Sequence, residues 1–320
     1  MSFVVTNRIP QSAVEMLRAA GEVRINEQET ALPRAELLAL VAGAEAILTL
    51  LHDRVDEELL EAAGAQLRCV ANVAVGYDNV DVEAAQRRGV VVTNTPGVLD
   101  DATADLTLGL ILAATRRLAE GDRLVRSGQP WNWGMGFMLG SSLQGKRLGI
   151  VGLGGIGRRV AERARAFGME IAYHSRHPAP PEVETALAAE QLPLAELLAS
   201  ADVLSLHCPL TPETHHLIGP EELATMKPSA ILINAARGPV VDEAALALAL
   251  AERQIAAAGL DVYEHEPRVE PGLLELDNVV LVPHLGSATV ETRTAMAELA
   301  ARNAISVLAG QGPLTPVASQ

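Results

Sequence analysis

One stretch, residues 147–157, limits the fold of this 320-residue chain more than any other. Its apolar start predicts a buried strand over 148–151, and Gly152, Gly154 and Gly157 then follow in the spacing G-x-G-x-x-G. The first glycine permits a tight turn, the second lets the backbone approach a pyrophosphate, and the third lets a helix pack closely on the strand. A helix beginning near Gly157 would direct its free N–H groups and its positive dipole end at phosphate oxygens.

The residues after the glycines complete a β-α-β unit. Val160, Ala161, Ala164 and Phe167 share one helical face, and an apolar run over 171–173 predicts a second strand. A strand, a glycine turn, a helix and a second strand are together far more specific than the glycine spacing alone. The combination predicts a dinucleotide-binding domain.

Strands and helices alternate on both sides of this unit, which predicts parallel sheets with helices on both faces. The length exceeds what one hydrophobic core usually supports, so we expect two domains. Residues 1–98 have no phosphate loop, and we expect them to form a substrate domain with residues 285–320, whose helix 288–308 returns to it. Residues 99–284 should form the dinucleotide-binding domain. The predicted strands are 3–6, 23–26, 46–50, 67–71, 90–93, 148–151, 171–173, 203–206, 230–234, 257–260 and 279–282.

The segment from about 100 to 140 has features of an oligomer surface. Residues 100–127 contain no proline and predict one long helix, which would serve as a linker or an interface. Residues 130–139 are rich in Trp, Met and Gly, and exposing such a loop to water is unfavourable. We therefore expect it to be a lid, or an arm lying over a neighbouring subunit.

Composition and charge exclude several classes of function. The formal net charge is −15 and no basic run is present, so neither nucleic acid nor a membrane surface is an expected partner. Cys69 and Cys208 lie far apart and form no disulfide framework. The N-terminus lacks signal-peptide features, and the longest apolar run, 106–114, is about half a membrane span. We expect a soluble, cytoplasmic protein that holds an anionic ligand through a few local arginines.

Six motifs occur along the chain in a characteristic order. They are Val-Gly-Tyr-Asp-Asn-Val-Asp (75–81), Asn-Thr-Pro-Gly (94–97), Val-Gly-Leu-Gly-Gly-Ile-Gly (151–157), Asn-Ala-Ala-Arg-Gly (234–238), Gly-Leu-Asp-Val-Tyr-Glu-His-Glu-Pro (259–267) and Val-Pro-His-Leu-Gly-Ser (282–287). Together they resemble the D-isomer-specific 2-hydroxyacid dehydrogenase family, and within it the glyoxylate/hydroxypyruvate reductase branch. The resemblance covers essentially the whole chain. It implies an α/β protein with two doubly wound parallel-sheet domains, a Rossmann-type dinucleotide-binding domain and a flavodoxin-like substrate domain.

The resemblance implies a catalytic set of Arg237, Glu266 and His284. A planar guanidinium can bind both carboxylate oxygens of a 2-keto acid, which suits Arg237. Reduction puts negative charge on the carbonyl oxygen, to which His284 can donate a proton, while Glu266 favours the protonated imidazole and fixes its orientation. His265 is interpreted as a surface residue. His207, His215 and His216 show no metal-ligand spacing, and we predict no metal site.

The resemblance also implies contacts for the cofactor and the substrate. Asp261 would hold the nicotinamide amide, and Thr103 would contact the cofactor. Leu51 would form an apolar wall beside the substrate, and the backbone of Val75 and Gly76 would hold its carboxylate. The other predicted cofactor contacts lie in the glycine loop or follow predicted strands: Gly152, Leu153, Gly154, Gly155, Ile156, Gly157, His174, Ser175, Arg176, His207, Cys208, Pro209, Thr214, Ala235, Ala236, Arg237, His284 and Gly286.

The end of the second strand of the dinucleotide domain indicates the coenzyme. NAD-specific sites place an acidic residue about twenty residues beyond the first glycine to bind the ribose 2′-hydroxyl. Here residues 173–177 read Tyr-His-Ser-Arg-His and contain no carboxylate. Ser175 can donate to a 2′-phosphate and Arg176 can pair with it. We therefore predict NADP(H) over NAD(H), with a solvated basic turn as the alternative.

These features predict a reductase of glyoxylate and hydroxypyruvate, giving glycolate and D-glycerate, and the family resemblance implies a homodimer. Related activities are open alternatives. A phosphoglycerate dehydrogenase is less expected because no regulatory domain follows residue 320, and a formate dehydrogenase is less expected because Glu266 is not an amide. A dinucleotide-sensing corepressor or scaffold, which uses the same fold to bind partner proteins, is the alternative from another class.

Overall fold

The computed structural model describes residues 1–317. The chain divides into two compact units, one of residues 1–99 with the residues from 288 onward, and one of residues 100–287. The final residues of the predicted segment 285–320, residues 318–320, lie outside the described part. Each unit is described by itself below.

The first unit contains a five-stranded sheet in which all strands are parallel. Its strands are β1 Ser2–Val5, β2 Glu22–Ile25, β3 Ala46–Thr49, β4 Cys69–Asn72 and β5 Val91–Thr93. Its helices are α1 Gln11–Ala20, α2 Arg34–Val41, α3 Glu57–Ala63, α4 Val82–Arg87 and α13 Val290–Leu308. The strand order β2-β1-β3-β4-β5 is the flavodoxin-like order, so this part of the predicted fold is confirmed.

Both faces of this sheet are buried because successive side chains of a strand point to opposite sides. On one face Phe3, Val5 and Leu48 pack with α1 and α13. On the other face Val4 and Ile47 belong to a second apolar cluster that includes residues of α2, α3 and α4. Burial on both faces explains why the strands read as unbroken apolar runs.

The second unit contains a seven-stranded parallel sheet. Its strands are β6 Arg147–Val151, β7 Glu170–His174, β8 Ala189–Gln191, β9 Val203–Leu206, β10 Ile231–Asn234, β11 Ala257–Leu260 and β12 Val279–Leu281. Its helices are α5 Asp100–Thr115, α6 Leu118–Arg126, α7 Gly155–Ala166, α8 Pro181–Leu187, α9 Leu194–Ser200, α10 Pro220–Thr225, α11 Glu243–Ala251 and α12 Pro271–Leu274, with a 3₁₀ turn at Gly238–Val240.

The strand order of this sheet is β12-β11-β10-β9-β6-β7-β8, which confirms the predicted Rossmann-type fold. The order reverses between β6 and β9, where Val151 is in register with Leu206. Open sheets of this kind bind ligands beyond the carboxyl ends of the strands at such a reversal. The glycine motif directly follows β6 and lies at this point.

The sequence missed one strand and displaced one helix start. β8 escaped prediction because its three residues, Ala-Glu-Gln, lie at the sheet edge and carry no apolar pattern. The helix after the glycine loop begins at Gly155 rather than near Gly157, so Gly157 lies inside its first turn and Gly154 is the N-cap.

The predicted single helix over residues 100–127 was wrong, because α5 and α6 are separate. The carbonyl of Thr115 accepts a hydrogen bond from the backbone N–H of Ser141, and Arg117 adopts a left-handed conformation with φ 54°. A left-handed residue cannot continue a right-handed helix.

No helix within residues 1–317 has the length and apolar character needed to cross a bilayer.

Candidate active site

The glycine loop after β6 has the geometry that a dinucleotide requires. Gly152 has φ +96°, and a Cβ there would lie 2.8 Å from the backbone of Cys208. A Cβ at Gly157 would lie 2.3 Å from the carbonyl oxygen of Gly152, so that glycine lets α7 pack against the turn. By contrast, apart from Gly154 itself and its two neighbours along the chain, no atom of the described residues lies within 4 Å of a Cβ placed at Gly154. These glycines fit a pyrophosphate lying over the start of α7, which also contains Gly155 and Ile156 in its first turn.

His207 provides a second observation that fits a bound nucleotide. Its Nε2 lies 2.8 Å from the Ser205 hydroxyl, whereas its buried Nδ1 has no hydrogen-bond partner among residues 1–317. Burial lowers the pKa of His207 to about 4, so the ring is neutral near pH 7. A buried polar atom without a partner is unfavourable, and a cofactor group at the strand reversal would satisfy it. The neighbouring Cys208 is buried, and burial raises the pKa of its thiol to about 11.

The residues predicted to select the coenzyme follow β7. The Ser175 hydroxyl oxygen accepts a hydrogen bond of 3.0 Å from the backbone N–H of Leu153, and its own proton is available for donation to another group. Arg176 is exposed, and its charge lowers the pKa of the nearby Glu213 after the larger effect of a hydrogen bond involving Thr211. His174 Nδ1 lies 3.1 Å from the Leu192 carbonyl oxygen, so its side chain fixes the strand end.

Arg237 lies in a turn built by the amide of Asn234. The amide oxygen accepts from the N–H of Ala236 at 3.1 Å, and the amide nitrogen donates to the carbonyl of Arg237 at 2.9 Å, so Ala235 and Ala236 are held between them. A Cβ at the following Gly238 would lie 1.8 Å from the carbonyl carbon of Tyr263. Only glycine allows this approach, which brings the Arg237 turn against the loop that contains Glu266.

His284 is held by Asp261, at the end of β11. The backbone N–H of His284 donates to the Asp261 carbonyl at 2.8 Å, and the Asp261 carboxylate accepts from Leu285 at 2.5 Å and from Gly286 at 2.9 Å. Burial raises the pKa of Asp261 despite these bonds. A Cβ at Gly286 would approach both Asp261 and Thr103, at 3.2 and 3.3 Å, so these three predicted cofactor residues lie together.

Glu266 and His284 form a direct pair. Glu266 Oε2 lies 3.0 Å from His284 Nδ1, and Glu266 Oε1 accepts a hydrogen bond from the backbone N–H of Tyr263 at 3.1 Å. Burial opposes ionisation, but His284, the Tyr263 N–H and the charge of Arg237 hold the pKa of Glu266 below its usual value. His284 also has φ 53°, an uncommon conformation for a residue with a side chain. The structure therefore brings Arg237, Glu266 and His284 into one electrostatic cluster.

Thr214 has a different environment from that of the other predicted contacts. Its hydroxyl donates to the Pro209 carbonyl at 2.7 Å and accepts from the Thr211 N–H at 2.8 Å. The side chain thus closes its own loop, which follows β9 and contains His207, Cys208 and Pro209.

The predicted substrate contacts Leu51, Val75 and Gly76 follow β3 and β4 of the first unit and are partly exposed. Their loops are held by two amides, the buried Asn72 and the partly buried Asn79. Asn79 donates to the carbonyls of Leu50 and Asp53 at 3.1 and 3.0 Å, and Asn72 donates to the Gly76 carbonyl at 2.9 Å. The side chains of Asn72 and Asn79 also bond to each other.

Sequence reasoning missed the residues that hold the site in place. Asn234, Gly238, Asn72 and Asn79 contact no reacting atom in the predicted chemistry, and their partners lie several residues to tens of residues away. For Asn72 and Asn234 the signal available was their position as the last residue of a strand, where Asn is otherwise unfavourable. The side-chain hydrogen bonds of Asn72 and Asn234 bind backbone groups just beyond the point where the regular strand pairing ends.

Comparison with known proteins identifies the family. A family model described as "D-isomer specific 2-hydroxyacid dehydrogenase, NAD binding domain" matches residues 108–286. A glyoxylate reductase from Thermococcus litoralis is 50% identical over 314 residues, which are 97% of this chain and 94% of that protein. This protein belongs to the D-isomer-specific 2-hydroxyacid dehydrogenase family, as predicted, and is an NAD(P)-dependent oxidoreductase.

Solved structures agree in fold over nearly the whole chain. A protein from Thermus thermophilus is 47% identical with a TM-score of 0.92, covering 99% of this chain and 100% of that chain. An NADPH-dependent glyoxylate/hydroxypyruvate reductase from Sinorhizobium meliloti, solved with NADP and malonate, is 36% identical with a TM-score of 0.86 and covers 99% and 96%. Glyoxylate reductases that cover 97% and 98% of this chain confirm the glyoxylate reductase branch of the family.

Proposed function

We propose that this protein is an NADP(H)-preferring reductase of small 2-keto acids, converting glyoxylate to glycolate and hydroxypyruvate to D-glycerate. The observation that carries the proposal is the Glu266–His284 pair, 3.0 Å apart, in the electrostatic range of Arg237. A carboxylate-paired imidazole beside a guanidinium suits a substrate with a carboxylate next to a carbonyl. The glyoxylate reductases among its relatives support the substrate class.

Arg237 is proposed to bind the substrate carboxylate. Its guanidinium presents two parallel N–H groups that match two carboxylate oxygens, and this fixes which way the adjacent carbonyl faces. The Asn234 amide and the glycine at 238 fix the backbone on either side of Arg237, so little additional ordering accompanies substrate binding.

His284 is proposed to donate the proton. A bound nicotinamide would supply a hydride to the carbonyl carbon of the substrate, which would put negative charge on the carbonyl oxygen. Because Nδ1 of His284 is paired with Glu266, we propose that Nε2 donates the proton to the carbonyl oxygen. The carboxylate stabilises the imidazolium before transfer and holds the ring in one orientation.

The coenzyme preference is proposed from the loop after β7. Ser175 can donate its hydroxyl proton to a 2′-phosphate, and Arg176 supplies a positive charge where NAD-specific relatives place an acid. The NADPH-dependent Sinorhizobium meliloti relative supports this assignment. Comparing kcat/KM for NADPH and NADH with glyoxylate tests it, and a strong NADH preference would contradict it.

We propose that Leu51 and the backbone of Val75 and Gly76 contact the keto acid, and that the small aliphatic side chains limit its size.

We also propose a cytoplasmic homodimer formed through residues 100–140. In this segment Trp133 and Met135 are 77% and 83% exposed, and Trp131 stacks on Phe137 at 5.8 Å. Such a surface favours coverage by a second subunit. Light scattering of the wild-type protein at several concentrations tests the dimer, and a monomer throughout would contradict it.

A keto-acid panel with both coenzymes tests the proposed function. We expect fastest NADPH oxidation with glyoxylate and hydroxypyruvate, with kcat in the ordinary enzyme range of roughly 1–10³ s⁻¹. Preference for a phosphorylated keto acid would instead indicate a phosphoglycerate dehydrogenase. Tight coenzyme binding with turnover far below about 1 s⁻¹ for every acid would contradict the proposal and favour a dinucleotide-sensing scaffold.

A further inference from the structure

We propose that His215, His216 and Glu264 form a binding site for a divalent transition-metal ion such as Zn²⁺. One potential ligand atom from each side chain lies within 4.8 Å of the others. The sequence suggested no such site, because the third residue lies 48 positions beyond the second histidine. The proposal is independent of the reductase activity.

The backbone explains how two neighbouring histidines face one point. Consecutive side chains normally diverge, but His216 adopts φ 51°, and the two imidazole rings stack with centroids 4.1 Å apart. His216 Nε2 lies 2.9 Å from Glu264 Oε1. Ligand atoms about 2.0–2.2 Å from a tetrahedral zinc ion lie roughly 3.3–3.5 Å apart, so this pair needs little movement and His215 needs a side-chain rotation.

The surrounding bonds fix the backbone of all three residues. The N–H of His215 donates to Thr211 at 3.0 Å, and that of His216 donates to Pro239 at 2.8 Å. The N–H of Glu264 donates to the buried Glu243 carboxylate at 2.6 Å. The backbone of the site is therefore fixed before an ion binds, so binding has to order only the His215 side chain, which reduces its entropic cost.

The donor set and the local charge select the class of ion. Imidazole nitrogens suit Zn²⁺, Ni²⁺ and Cu²⁺, whereas Mg²⁺ and Ca²⁺ prefer oxygen ligands. Glu243 and Glu270 interact electrostatically with each other near Glu264, and the net charge of −15 also favours a cation. His215 is exposed, so water can complete the coordination.

A bound ion would link two loops of the second unit. The loop containing His215 and His216 is closed by Thr214, and the loop containing Glu264 includes Glu266 two residues further on. Because such an ion binds the folded chain through residues far apart in sequence, it should raise the unfolding temperature.

Isothermal titration with Zn²⁺ tests the proposal on the full chain. We expect one ion per chain for the wild type, no binding of Mg²⁺, and affinity lower by on the order of 100-fold in His215→Ala and Glu264→Gln. His216→Gln, which retains a donor for Glu264, should lose affinity similarly. His265→Ala is the matched control, since this exposed histidine adjoins Glu264 and should bind Zn²⁺ like the wild type.

The exposed His215 keeps the test informative even if the other variants fold poorly. Removal of His215 leaves the His216–Glu264 bond intact. If the cluster only stabilises the fold and Zn²⁺ binds elsewhere, Zn²⁺ binding should therefore be the same in His215→Ala as in the wild type. Full affinity in His215→Ala would overturn the proposal, as would no binding to the wild type at 100-fold excess over a micromolar protein concentration. A Zn²⁺-dependent rise in unfolding temperature that disappears in His215→Ala, and persists in His265→Ala, is the expected second readout.

Discussion

The carboxyl ends of the two sheets are built in similar ways but present different chemistry. In the second unit Asn234 and Asp261 bond to backbone groups and hold Arg237 and His284, which are charged or chargeable. In the first unit Asn72 and Asn79 bond to backbone groups and hold loops that present Leu51, Val75 and Gly76. Both edges are therefore ordered by short polar side chains.

The two units differ in the functional groups that the predicted site residues present at the carboxyl ends of their strands. The three proposed catalytic side chains, Arg237, Glu266 and the left-handed His284, all lie in the second unit, which supports the proposal that this unit performs the chemical step. The predicted contacts of the first unit, Leu51, Val75 and Gly76, offer an apolar side chain and backbone groups, which suit shape selection and binding. This division predicts that substitutions in the second unit change catalysis and that substitutions in the first change substrate affinity.

The largest effect is expected for His284→Ala, which removes the proposed proton donor. We expect kcat for glyoxylate to fall by about 10²–10⁴-fold while NADPH affinity is kept. Initial rates and fluorescence titration of NADPH measure the two quantities. His265→Ala is the control and should keep kcat within about twofold, and equal losses in both variants would remove the distinction between these histidines.

Arg237→Lys should have the next largest effect. A lysine keeps the positive charge but cannot copy the bidentate contact, so kcat/KM for glyoxylate should fall about 10- to 100-fold, mainly through KM. Steady-state kinetics check this against Arg268→Lys, which changes an exposed arginine nearby and should be neutral. Unchanged kinetics for Arg237→Lys would exclude that residue from substrate binding.

Arg176→Ala should alter coenzyme choice more than catalysis. Losing one charge-assisted contact should weaken NADPH about tenfold and leave NADH nearly unchanged. Glu213→Gln should instead strengthen NADPH binding, since it removes a carboxylate that interacts with Arg176. The ratio of kcat/KM for the two coenzymes measures both, and equal loss for NADPH and NADH would contradict the assignment.

Asn79→Ala should have the smallest kinetic effect and should sharpen the contrast between the units. Loss of its bonds to the loop of Leu51 should raise KM for glyoxylate about fivefold with little change in kcat, and destabilise the fold by about 2 kcal/mol. Asn278→Ala is the matched control, because that amide bridges Leu250 and Ala256 before β12, at the opposite ends of the strands. It should lower stability without raising KM.

The sequence predicted the buried strands well because burial on both faces leaves an unbroken apolar run. Strands such as 203–206 and 257–260 were predicted with the observed bounds. The polar edge strand 189–191 and the helix break at Arg117 were missed, since pairing at an edge and a left-handed residue depend on distant backbone.

Motifs likewise indicated the reacting groups but not their support. Arg237, Glu266 and His284 could be named because each belongs to a recognisable motif. The bonds of Asn234 and Asn79, and the approach of His216 to Glu264, join residues through the tertiary fold and leave no periodic pattern in the sequence. Such contacts follow from packing and cannot be obtained from local composition.

The central claim is that Glu266 acts through His284, and a double-mutant cycle tests it most directly. Single-turnover reduction of glyoxylate would be measured for wild type, Glu266→Gln, His284→Ala and the double variant. We expect Glu266→Gln to slow the reaction about 10-fold or more in the wild-type background and to have no further effect once His284 is removed. Equal slowing by Glu266→Gln in both backgrounds would show that the two residues act independently and would contradict the account.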